Sequence, residues 1–108
     1  MPIDLDNAIM QDPKKQVFLN GNGKCQYCGL DFLSSLSLFW AYEVDHVVAK
    51  SVGGADTADN LVLSCRACNG ALSRASNLRT FEERKAYLES QVGSRSEIYE
   101  AWRRHLGR

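Results

Sequence analysis

Four cysteines fall in two Cys-x-x-Cys pairs, Cys25 with Cys28 and Cys65 with Cys68. The stretch between them holds Asp45-His46 and Asn60, and Asn69 directly follows the last cysteine. Thiolates at i and i+3 present two sulfurs from one turn, and two such turns brought together offer the tetrahedral set that zinc accepts. With sulfur in all four positions no coordination site stays open, so this zinc would be structural. The competing reading is a pair of disulfides or a redox Cys-x-x-Cys. It goes with a secretory leader or a thioredoxin-like βαβ pattern, and the sequence reads as neither.

A closed zinc site takes no part in a reaction, so any hydrolytic chemistry needs a second cation on oxygen and nitrogen ligands. Asp45 and Asn69 offer such a pair if the two cysteine turns bring a strand end against a helix start. His46 lies beside Asp45, and an imidazole of ordinary basicity is neutral enough near pH 7 to take a proton from water. Neighbouring residues on a strand point to opposite faces, so Asp45 and His46 share a site only where the backbone bends or water fills the gap. Glu43 is a candidate partner for the cation or for His46, and Lys50, Arg66 and Arg74 flank the site as candidate phosphate contacts.

The elements that must position these groups follow from local signals. Asp12-Pro13 marks a helix start, and Gly21 and Gly23 stop that helix. Residues 32–37 read as a loop. Residues 39–44 have strand composition and deliver Asp45 and His46 at their end; Gly53-Gly54 turns the chain, residues 60–64 form a second short strand, and Cys65 opens a helix through about Ser76. Thr80-Phe81-Glu82-Glu83 and Ser94-Arg95-Ser96-Glu97 match the capping box, so two helices close the chain, the second with Ile98, Trp102 and Leu106 as a core-facing stripe. Strand, long loop, strand and helix is an α+β order. It reads as one domain over residues 1–108, with a core at 25–76, a helical extension at 1–24 and C-terminal helices at 77–108.

At 108 residues the chain buries a modest core, and a structural metal would reinforce it. No apolar run approaches the roughly 20 residues of a membrane span. The acidic start, Met1-Pro2-Ile3-Asp4-Leu5-Asp6, is unlike a signal peptide, which sets the expectation of a soluble, cytoplasmic protein with reduced thiols. Thirteen Lys and Arg balance thirteen Asp and Glu, so charge alone does not announce a polyanion partner.

Taken together, Cys-x-x-Cys, Glu-x-Asp-His, Gly-Gly-x-Asp-x-x-x-Asn, Leu-Val-Leu and Cys-x-x-Cys-Asn resemble the HNH endonuclease family with its ββα-metal fold, in a variant with Asn69 in place of the final His. The resemblance spans Cys25 to Asn69. It implies that His46 is the general base for water, that Asp45 and Asn69 hold one divalent ion, usually Mg²⁺, and that Asn60 braces the loop and fixes the His46 backbone. Cys25, Cys28, Cys65 and Cys68 would carry the structural Zn²⁺ found in many members. The implied activity is metal-dependent hydrolysis of DNA phosphodiester bonds, on duplex more than RNA, with a protein partner or homodimer for targeting. The alternatives are a non-catalytic zinc module that binds nucleic acid and a zinc-stabilised adaptor that binds a protein partner.

Overall fold

Side-chain caps decide where most helices begin. The Asp4 carboxylate accepts the Asn7 amide at 3.1 Å and opens α1, Leu5–Gln11. Asp12 accepts the Lys14 amide at 2.9 Å and opens α2, Pro13–Asn20, with proline at the first position where its missing N–H costs nothing. The Ser35 hydroxyl accepts the Leu38 amide at 3.1 Å and starts a short helix, α3, Leu36–Phe39. That cap takes Phe39 out of the strand expected over 39–44, and the strand β1 instead spans Tyr42–His46. These coordinates are a computed structural model that describes residues 2–75 and 77–108.

β1 pairs antiparallel with β2, Leu61–Cys65, in a register that sets Tyr42 opposite Cys65 and His46 opposite Leu61. The excursion between them carries two single 3₁₀ turns, Lys50–Val52 and Ala58–Asn60. Asn60 therefore ends a turn and does not begin the strand. Gly53 sits at φ +94°, and a Cβ on Gly54 would fall 1.7 Å from the Val48 carbonyl oxygen, so this Gly-Gly turn closes only with glycine at its second position.

α4, Arg66–Leu72, follows β2 without a linker. It is shorter than the helix expected to about Ser76: the chain leaves the helix at Leu72 and turns through Ser73 and Arg74, and Ser76 lies outside the described residues. α5, Phe81–Ser90, opens with the expected capping box, Thr80 accepting the Glu83 amide at 3.1 Å and Glu83 accepting the Thr80 amide at 3.1 Å. α6, Val92–Leu106, begins ahead of the second capping pattern, with Ser94 already inside the helix. Its stripe is not core: Ile98, Trp102 and Leu106 are 61, 61 and 60% exposed, because no element among the described residues covers them.

The core instead gathers on β2. Leu61, Val62, Leu63 and Ser64 are buried, with Val17 of α2, Phe32, Leu72 of α4 and Leu88 of α5 around them. Phe18, Phe39 and Tyr42 cluster beside it with ring centroids 4.9 to 5.9 Å apart. The far edge of β2 is covered by the first cysteine turn: Gln26 donates its amide to the Leu63 carbonyl at 2.9 Å and accepts the Leu63 amide on Oε1 at 2.8 Å. Two strands and packed helices make the α+β architecture expected. No helix among the described residues is long and apolar enough to cross a membrane.

Candidate active site and cysteine cluster

Gln26 pinning the first turn to β2 is what brings the two cysteine pairs together. All four sulfurs lie within 4.8 Å of one another, and Cys28 Sγ stands 3.7 Å from Cys65 Sγ. Each turn aims an amide at its own first sulfur, Cys28 N to Cys25 Sγ at 3.5 Å and Cys68 N to Cys65 Sγ at 3.4 Å. Hydrogen bonds from Cys65 and Cys68 hold the Cys25 thiol far below its ordinary range, burial pushes Cys28 up to about 11, and contact with Cys25 and Cys65 pushes Cys68 up. The sulfurs thus compete for negative charge. A divalent cation removes that competition, and the cluster is compatible with zinc. All four cysteines are free thiols, so the disulfide reading does not hold.

Asp45, His46 and Asn69 line one open cavity of about 500 Å³, together with Lys50, Ser73 and Arg84. The alternation problem is resolved at the strand end: His46 is the last residue of β1, and past it the chain leaves the ladder. Its backbone is anchored on both sides, the His46 amide donating to Asp45 Oδ1 at 2.9 Å and the Val47 amide to the Asn60 carbonyl at 2.9 Å. The imidazole Nε2 meets Asp56 Oδ1 at 2.6 Å, and Lys50 Nζ meets the other Asp56 oxygen at 2.9 Å. Lys50 first and His46 second hold the Asp56 carboxyl below the usual carboxylate range. An ionised carboxylate only accepts, so Nε2 carries a proton, and in the neutral form of the ring the lone pair is on Nδ1.

The side chain of Asn60 sits under this loop. Its Oδ1 accepts the Val48 amide at 2.9 Å, and its Nδ2 donates to the carbonyls of Val48 at 3.0 Å and Ala55 at 2.9 Å. Every polar atom of the amide is thereby used on the excursion that follows His46. Asn69, at the third position after Arg66 in α4, donates Nδ2 to Glu43 Oε1 at 3.4 Å and keeps Oδ1 for another partner. Of the flanking cations, Lys50 lines the cavity, whereas Arg66 and Arg74 line a separate groove beyond α4.

The residue that sequence reading missed is Arg84. It comes from α5, yet it is only 7% exposed, and its guanidinium donates from Nε to the Tyr27 hydroxyl at 2.8 Å and from Nη2 to Asp45 Oδ2. Tyr27 belongs to the first cysteine turn and stacks on Phe81 of α5 with centroids 5.0 Å apart. Burial pushes the Tyr27 hydroxyl's pKa up, which keeps it neutral and able to donate or accept. One chain of contacts so links the cysteine cluster, α5 and the Asp45 carboxylate. A sequence signal existed only in the placing of Arg84 on the helix face that also carries Phe81 and Leu88.

The donor set fits a hard cation. A carboxylate accepts about four hydrogen bonds, and Asp45 has committed one to its neighbour's amide and one to Arg84. The remaining lone pairs and Asn69 Oδ1 are oxygen ligands of the kind that Mg²⁺, Mn²⁺ or Ca²⁺ takes.

Comparison with known proteins agrees with this geometry. Residues 25–75 match the HNH endonuclease family. Over 82 residues, 73% of this chain, the sequence is 34% identical to the type IV methyl-directed restriction enzyme EcoKMcrA of Escherichia coli strain K12, and the matched part spans 30% of that relative. The family match takes in both cysteine turns, the Asp45-His46 strand end and Asn69, and this part of the chain, residues 25–75, belongs to the HNH endonuclease family.

Proposed function

We propose that this protein is a metal-dependent endonuclease that hydrolyses DNA phosphodiester bonds in the cavity shared by Asp45, His46 and Asn69. The observation that carries this reading is the convergence itself: Asp45, His46 and Asn69, from a strand end and a helix, line one open cavity. Fixed through Nε2 by Asp56, His46 takes a proton from water on Nδ1 as the water oxygen attacks phosphorus and the bond to the leaving oxygen breaks. A divalent cation held by Asp45 and Asn69, Mg²⁺ by resemblance, supplies positive charge at the phosphate and the leaving oxygen when bound. Asn60 keeps the backbone after His46 in place, and Cys25, Cys28, Cys65 and Cys68 hold a structural zinc ion that joins the two turns. The restriction enzyme among the relatives supports DNA as the substrate class.

The reading of a zinc module that binds without cutting has one observation in its favour, the Arg84 guanidinium on the carboxylate that would hold the cation. A direct experiment separates the two. Zinc-loaded protein is incubated with supercoiled plasmid and Mg²⁺ or Mn²⁺, beside His46→Ala and a sample without added divalent ion. Nicking or linearisation that disappears in both controls is expected. Intact plasmid under all metals, with the protein folded, would reject the endonuclease in favour of the non-cutting module.

A further inference from the structure

α4 has a second concave side. Opposite the face that turns Asn69 to the catalytic cavity, the helix forms one wall of a groove of about 640 Å³ with α5 and the start of α6. Three arginines from different parts of the chain meet there, Arg66 on α4, Arg74 just after it and Arg95 on α6, with Tyr87 of α5 between them. No carboxylate lines the groove. None of the three guanidinium groups has an ion-pair partner among the described residues, whereas Lys50, Arg84 and Arg103 are each matched with an acid. In a chain whose acids and bases balance, three unpaired arginines in one groove are a local concentration of positive charge that the fold has not neutralised. The floor is open: Gly70 lies in it, and a Cβ there would meet nothing within 4 Å.

We propose that this groove is a second nucleic-acid contact, which grips the phosphate backbone of the same strand that the catalytic cavity receives. The inference deepens the endonuclease reading and rests on it. Guanidinium forks match phosphate oxygens, and a tyrosine hydroxyl is a common phosphate donor. An acidic peptide would satisfy the charge only where its sequence places carboxylates; nucleic acid carries a charge on every nucleotide, one per roughly 3.4 Å of helix axis on each strand. α4 with its side chains is about 10–12 Å across, so a strand that crosses it from the cavity reaches the groove within a few nucleotides of the phosphate at His46. The groove thereby supplies the backbone grip that zero net charge had left unexplained, and it holds DNA without touching the reacting atoms.

The test counts charges. The full zinc-loaded chain is titrated with a fluorescent duplex, without added divalent ion, at several salt concentrations, for the wild type, for the triple variant Arg66→Gln, Arg74→Gln, Arg95→Gln, and for Arg103→Gln, Arg104→Gln, Arg108→Gln as a control of equal net charge. Each lost phosphate contact lowers the slope of log affinity against log salt by about 0.9, so the groove variant should lose roughly 2 to 3 and the control far less. The triple Arg→Lys variant should recover the slope, because the slope counts charge and not fork geometry. Zinc content and melting temperature of each variant, matched to the wild type, establish that it is folded. A groove variant that keeps the wild-type slope overturns the proposal, as does an equal loss in the control, which would make the effect diffuse charge. If the groove variant instead loses binding to an acidic peptide and keeps the duplex slope, the groove belongs to a protein partner. A wild type that binds the duplex but cuts no plasmid with Mg²⁺ or Mn²⁺ breaks the endonuclease reading separately from the groove.

Discussion

The cysteine cluster and the Asp45–His46–Asn69 cavity are built on the same β1–β2–α4 unit, and they are finished to different degrees. The four sulfurs face one another, three of them from buried residues, with two backbone amides as their other partners. The cluster is compatible with a bound zinc ion, which would offset the charge of the sulfurs at that distance. In the cavity each polar side chain already has a protein partner: Asp45 has Arg84, His46 has Asp56, and Asn69 has Glu43. Asn69 Oδ1 and the remaining Asp45 lone pairs stay open there. The difference fits the proposed division, in which one metal would serve folding and the other the reaction, even though the two sets of candidate ligands alternate along the chain.

The sharpest way to break that comparison is at the sulfurs. Cys65→Ser removes a ligand from the strand end that leads directly into α4, and structural zinc contributes on the order of 10 kcal/mol to folding in small domains. The variant should lose bound zinc and its cooperative thermal transition. Wild-type zinc content and melting would remove the cluster from folding. Omission of Mg²⁺ or Mn²⁺, by contrast, should leave the melting curve unchanged.

His46→Ala reverses the pattern. The ring is three-quarters covered but makes its contact with an exposed carboxylate, so the fold should survive and the cleavage rate should fall by roughly 10² to 10⁴. Rate measurements on a folded variant check it, and full activity would hand the proton to another group.

Arg84 is where the two regions touch. Arg84→Ala leaves the Asp45 carboxylate and the Tyr27 hydroxyl without their partner and opens space beside the stacked Phe81. Removal of one member of a largely buried pair costs about 3 kcal/mol, somewhat less here because Asp45 retains some solvent. Chemical denaturation should show that loss. The same variant should bind Mn²⁺ more tightly, because a positive charge has left the carboxylate, and calorimetric titration reads this apart from activity. Unchanged stability and unchanged Mn²⁺ affinity together would mean that Arg84 does not hold the site.

These residues also mark how far the sequence could be read. Cysteine spacing, the strand–loop–strand–helix order, the Asp12-Pro13 start and the Thr80 capping box are local signals, and each depends on residues a few positions apart. The Ser35 cap is local as well, but the aromatic run after it has strand composition, and the cap overrode that composition to make α3. Arg84 was illegible for a different reason. Its partners Tyr27 and Asp45 lie 57 and 39 residues away, and only the packing of α5 on the first cysteine turn brings them together. The α6 stripe was read correctly as amphipathic and wrongly as core, because periodicity reports a face and not what lies opposite it.

The smallest effect expected is at Asp56, and it bears on how the cavity is kept ready. The carboxylate fixes the proton of His46 on Nε2, so Asp56→Ala should release the ring, let both tautomers form and lower the cleavage rate by about tenfold, the lower end for a partner of a site residue because Asp56 is exposed. Asp56→Asn keeps an acceptor and should lose less. The pH dependence has a definite sign. Lys50 and His46 hold the Asp56 carboxyl below its ordinary value of 3.8, so the pairing is fully present above that value and is lost as pH falls through the lower folded one. Amide exchange of residues 47–60 should therefore quicken on acidification in the wild type and show no such step in Asp56→Asn. If the two proteins acidify alike, Asp56 does not organise the loop, and the position of His46 is set by its backbone anchors at Asp45 and Asn60.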